Sequence, residues 1–349
     1  MVEKMKHSEY WRKRFEQLEE SLQLRADDYY NNLKKQYNIA MSNIEKDILV
    51  WYSRFSDNNN ISLSEAKKML KGKELKELRW TLEEYIKYGK ENSLNQRWIT
   101  ELENASCKAH IDRLESLKLQ MRHQIETLYD KQTKDTEKLI RDIYTEGYYH
   151  TAYEIAKGTK IANDIFRLDT NKINKVINQP WASDGLNFSE RIWGKYRPQL
   201  VNELNRELTQ SIIRGEDPRK LINKLSEKFK VSKSQSGNLV MTESAFFSSA
   251  SQKDCFDNLG VEEYEIVATL DLKTSDICQE LDGKVFKLSE YEIGITAPPF
   301  HNYCRSCTCP HFDDEFTQDE KRIARGPDGK TYDVPSNMKY KEWHEKFVK

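Results

Sequence analysis

The chain lacks the signatures that mark most common enzymes. No Gly-x-x-x-x-Gly-Lys-Ser/Thr, Gly-x-Gly-x-x-Gly, His-Glu-x-x-His or Gly-x-Ser-x-Gly segment occurs, which removes the usual nucleotide-binding, zinc-protease and serine-hydrolase chemistries. Net charge is only -1, from 56 basic and 57 acidic residues, so no bulk attraction to nucleic acid or anionic lipid is built in. No apolar run approaches the roughly 20 residues that span a bilayer, and Met1 to Arg14 is charged, without the apolar core of a signal peptide. These absences predict a soluble chain that stays in the cytoplasm. Cysteine is scarce too: six in 349 residues, with Cys107 and Cys255 isolated, which is not a disulfide framework.

What the chain has in abundance is charge, 32% of residues, at a mean hydropathy of -0.86. That balance describes solvated helix faces, and it predicts a mainly α protein with an elongated helical amino-terminal half. Residues 1-52 carry Tyr10, Trp11, Phe15, Leu18, Leu22, Tyr29, Leu33, Tyr37, Ile44, Ile48 and Trp51 at mostly three- or four-residue intervals, the pattern of a long helix or helical pair. Ser62-Leu63-Ser64-Glu65 has capping-box spacing for a second helix, and a short helical segment follows around Trp80 to Tyr88. Asn92 to Ala156 contains no proline and reads as a long helix or hairpin with a charged outer face. Within it, Tyr144, Tyr148, Tyr149 and Tyr153 suit packing better than a nucleic-acid platform.

The segment 178-185, with Gln179-Pro180-Trp181, is a break, and it divides a helical region 1-180 from a module at 186-312. Phe188 to Arg214 is helical. Asp217-Pro218 supplies an N-cap and a first-turn proline for another helix to Phe229, and Ser232 to Gln235 has a capping pattern for a third, through Met241 and Ala250. From Val261 to Leu270 the composition turns to that of a strand, and Lys284-Val285-Phe286 is a second short strand behind the Asp282-Gly283 turn. The module is therefore a small α+β unit in which helices feed a short β element carrying a Cys/His loop. Residues 313-349 read as a charged tail with a turn at Gly326 to Gly329.

Four of the six cysteines and two of the seven histidines fall between Asp271 and His311. Zinc takes four such ligands in a tetrahedron, and a short Cys-x-x-Cys supplies two. The candidate ligands are Cys278, His301, Cys304 and Cys307, with Cys309 or His311 as substitutes; the rival reading is thiols that hold no metal. A closed four-ligand site favours a structural role, whereas three ligands plus water favours catalysis, in which His301 and Asp282 would stand at the metal. A zinc-stabilised nucleic-acid module would need Arg305 and nearby lysines on one basic face. A deaminase is disfavoured, because the one His-x-Glu, His7-Ser8-Glu9, is remote and Tyr303 precedes Cys304. Asp271 and Thr274 suit a local Asx-type turn.

The order of these pieces resembles the phage minor head, or head morphogenesis, family of the Mu F type. The matching segments are Phe188 to Trp193, Ile213 to Glu216, Thr242-Glu243, Ala268 to Asp271, Thr274, Cys278, Leu281 to Phe286, and Pro298 to Arg305. Ser275 stands where many relatives have a first cysteine, Met241 where an arginine is usual, and Ser306 where some have a second cysteine. The resemblance implies a minor protein of a phage or prophage head, without enzyme activity of its own. Its implied partners are the portal protein, major capsid or scaffolding proteins and phage double-stranded DNA, with no membrane. The implied location is the bacterial host cytoplasm during assembly and then the virion.

Overall fold

The computed structural model describes residues 8–57, 87, 113–159, 168–214, 217–312, 321–325, 331–335, 342 and 346. Helix α1 is Ser8–Asp57, α2 is Arg113–Thr159 and α3 is Thr170–Asn178. Next comes α4, Phe188–Arg191, which runs through a wider π turn at Ile192–Tyr196 into α5, Arg197–Arg214. The long α6, Pro218–Leu259, leads to β1, Glu263–Val267. The short helix α7, Asp276–Leu281, precedes β2, Val285–Lys287, and β3, Cys307–His311. Strands β4, Lys321–Arg325, and β5, Thr331–Pro335, pair antiparallel with each other.

The expected mainly α fold with a small β element is therefore present, with differences that have physical causes. Residues 1-52 were expected as a helix or a pair, and α1 is one helix, because its buried residues from Trp11 to Trp51 keep a helical spacing without interruption. The expected break at Ser232 does not occur. The Ser232 and Ser236 hydroxyls are taken up by the buried phenols of Tyr37 and Tyr129, at 2.6–3.3 Å, so they are not spent on capping and α6 runs on. Within the expected tail, β4 and β5 form a hairpin. The helices expected near 62–90 lie outside the described residues, apart from the helical Lys87, and so does Cys107.

Contacts divide the chain into two units. The first holds residues 1–29, 137–179 and 238–349, and the second 30–136 and 180–237. In the first, β1 is the middle strand of a three-stranded sheet in the order β2-β1-β3, antiparallel to both neighbours. A core of Trp11 and Phe15 from α1, Ile155 from α2 and Phe256 from α6 packs with Tyr264, Ile266 and Val267 of β1 and with Cys307 and Cys309 of β3. Because β1 is covered on both faces, its alternation in sequence is only partial. Arg12 of α1 forms a buried bidentate pair with Glu265 of β1, Nε to Oε2 at 2.9 Å.

The second unit is helical. Tyr37, Tyr129 and Phe229 meet edge to face at 6.2–6.4 Å. Arg197, just after the π turn, grips the fully buried Glu126 through Nε at 2.7 Å. Gly237 lets α6 approach Tyr30, since a Cβ there would stand 2.3 Å from the ring.

Candidate metal centre

Two loops build the site, and each is closed by side chains bonding to backbone. The first leaves β1 at Ala268 and returns at Gly283. Its ends are joined by the Ala268 N–H donating to Asp282 Oδ1 at 3.0 Å and by the Gly283 N–H donating to Ile266 O at 2.8 Å. Gly283 has φ +73, a conformation that favours glycine. The expected hairpin at Asp282-Gly283 is thus a helix-to-strand turn at the end of α7, and Asp282 is an amide clamp.

Inside this loop Asp271 makes the expected Asx turn, accepting from the Lys273 N–H at 2.9 Å and from Thr274 Oγ1 at 3.2 Å. It is also held by both terminal nitrogens of Arg305, one at 2.7 Å. Burial pushes the Asp271 carboxyl up, but the bonds from Arg305 and Lys273 outweigh it and hold the group below its ordinary value. Ser275 caps α7, its Oγ accepting from the Cys278 N–H at 3.4 Å.

The second loop follows Pro298-Pro299 and makes a turn in which the Cys304 N–H donates to His301 O at 3.2 Å. Tyr303 lies in the left-handed region at φ 60, a conformation that costs a non-glycine residue about 1–3 kcal/mol and persists only where the surroundings impose it. The outcome is that His301 and Cys304 face Cys278 on α7.

Cys278, His301 and Cys304 present donor atoms that all lie within 4.8 Å of one another. Sγ of Cys278 is 3.3 Å from Nε2 of His301 and 3.8 Å from Sγ of Cys304. Tetrahedral zinc, with bonds of about 2.3 Å to sulfur and about 2.0–2.1 Å to nitrogen, requires edges of roughly 3.8 Å and 3.5 Å between those donors. The residues fit such an ion. Nδ1 of His301 is 2.8 Å from Asn302 O, and since a carbonyl can only accept, the proton sits on Nδ1 and the Nε2 lone pair is free for a cation. The Cys278 thiol donating to Cys304, helped by backbone N–H groups of Phe300 and Ser306, holds Cys304 down at about 6 against the opposing effect of burial. Cys278, sharing that proton and buried, is pushed up. A thiolate is the form a soft cation binds, and the lowered Cys304 group tends toward it.

The structure brings together three of the named ligands. Cys307 and Cys309 lie on β3 opposite Val267 and Glu265, inside the apolar core, and His311 ends that strand opposite Glu263. Among the described residues the group of possible ligands at this place is Cys278, His301 and Cys304, and Asp282 is not in it. Arg305 is committed to Asp271, which speaks against the basic face that a nucleic-acid module needs. Sequence reasoning missed the Asp271–Arg305 clamp, since nothing local links residues so far apart. It also missed Ser275 as a cap, although a serine before an acidic first turn is a cap signal.

Residues 202–309 match the family described as Phage Mu protein F like protein. The chain carries a Mu F-like domain. No curated protein and no solved structure matches it. The Mu F-like domain runs from α5 to β3 and contains the whole Cys/His cluster, the Asp271–Arg305 clamp and the Asp282 turn. The family is one of phage head-related structural proteins. Among the described residues no helix is long and apolar enough to cross a membrane.

Proposed function

We propose that this protein is a minor head protein of a tailed phage or prophage that acts with the portal protein in head morphogenesis. Major capsid or scaffolding proteins are its further contacts, and packaging or delivery of the phage double-stranded DNA is the process it serves. It is made in the host cytoplasm and becomes part of the virion. The observation that carries this reading is the family match, whose span encloses a set of residues that all tie loops together. Asp271 with Arg305, Asp282 with Ala268, and Cys278 with His301 and Cys304 each join chain positions distant in sequence.

In this reading the cluster is a fastener, and zinc is the cation its donor set suits. The cavity beside it is about 20 Å³, room for one water, and a second of about 400 Å³ shares Thr269 and Arg305 with it.

The test is affinity purification of the tagged protein from infected or induced cells, with electron microscopy of heads made without it. Portal protein is expected in the purified material, and heads from the null mutant are expected to be defective. Normal, infectious heads without this protein would refute the proposal.

A further inference from the structure

Three donors make one face of a tetrahedron, and the fourth vertex must point somewhere. Cys307, the sequence-named fourth ligand, is fixed by β3, whose five residues pair in register with β1. Its side chain packs with the apolar core that includes Trp11, Phe15 and Phe256. Bringing it to the cluster would undo both the strand pairing and that packing.

Beside Cys278 and His301 there is instead the cavity of about 20 Å³, lined by Thr274, Ser275 and Ser306 and by Lys273 and Arg305. A space of that size holds about one water, and Lys273 is a cationic side chain at its wall, Arg305 being paired with Asp271. Ser275 and Ser306 line this one cavity and carry hydroxyls, not thiolates.

We infer that the metal centre has three protein ligands, Cys278, His301 and Cys304, and a fourth position open to one small exogenous ligand, a water molecule or a monovalent anion, not to Cys307. The inference rests on the cluster binding a zinc-like cation. It adds what completes the coordination, and because an open position is the arrangement that favours catalysis, the structural role rests on the loops the cluster ties together and not on its ligand count.

The test is cobalt(II) titration of the full-length reduced protein followed by visible absorption, then addition of sodium azide. One tetrahedral cobalt is expected, with charge-transfer intensity of two thiolates and ligand-field bands that shift on adding azide. Cys307→Ala should leave cobalt affinity within about threefold, while His301→Ala should weaken it by more than the roughly 10–100-fold typical of losing an outer-shell partner. Three-thiolate intensity, or bands that azide leaves unmoved, overturns the open position while keeping the metal. No cobalt bound overturns the metal reading as well. The spectra of the unaltered protein decide the matter even where a variant does not fold.

Discussion

The two units solve the same problem, how to define one packing, with a shared device, and one of them adds a second. Each has a buried arginine–glutamate pair, Arg197 with Glu126 in the helical unit and Arg12 with Glu265 beside the sheet. The helical unit then goes on to bury polar groups among its helices. Tyr37 reaches Ser236 at 2.7 Å and Gln132 at 3.2 Å, and Tyr129 reaches Ser232 at 2.6 Å. The sheet unit also buries polar bonds, Ser248 Oγ donating to Glu19 Oε2 at 2.5 Å and Thr308 Oγ1 donating to Gln252 Oε1 at 2.8 Å, and it adds others in the loops that follow β1 and precede β3. Both units draw specificity from interior hydrogen bonds, and the sheet unit draws it from loop closure as well. The helical unit is vulnerable in its core, the sheet unit both there and at its clamps.

Substitutions can break this contrast. The largest effect is expected from Glu126→Ala, which leaves Arg197 buried without its partner and should cost about 3–5 kcal/mol in urea unfolding. Replacing both at once, Glu126→Leu with Arg197→Met, should cost far less. Next comes Asp271→Asn, which removes the charge that Arg305 grips and should cost about 1.5–3 kcal/mol. Because the folded carboxyl is held below its ordinary value, that stabilisation is present above the unfolded carboxylate pKa of about 3.9 and is lost as pH falls through the lower folded value. The acid limb of a stability–pH curve should therefore be shallower in Asp271→Asn.

Smaller effects sharpen the comparison. Gly237→Ala in the helical unit and Gly158→Ala beside Trp11 both drive a Cβ into a ring, at 2.3 and 2.1 Å, and each should cost about 1–3 kcal/mol by thermal unfolding. Asp217→Ala removes the cap whose Oδ1 accepts from the Arg219 N–H at 2.7 Å, at about 1 kcal/mol. Ser234→Ala should be nearly neutral, since α6 has no start there.

What could be read from the sequence follows the same division. Helices α1, α2 and α5 were visible because apolar spacing is a local property, and Asp217-Pro218 marked the start of α6 because capping is local too. The continuity of α6 was hidden, since Ser232 and Ser236 serve tyrosines far away in the chain. In the site, residue types and spacing brought out Cys278, His301 and Cys304. That Cys307 and Cys309 stay apart from them depends on β3 pairing with β1, a long-range register that a cysteine count does not carry. The β4–β5 hairpin was hidden by its charged composition, read as a tail.

The account turns on the Cys/His loop holding the Mu F-like domain in shape. The most direct measurement is the zinc content of the purified full-length protein, together with its melting temperature before and after a chelator. About one zinc per chain and a lower melting temperature once the metal is removed are predicted. Zinc-free protein that melts at the same temperature with and without chelator would contradict it.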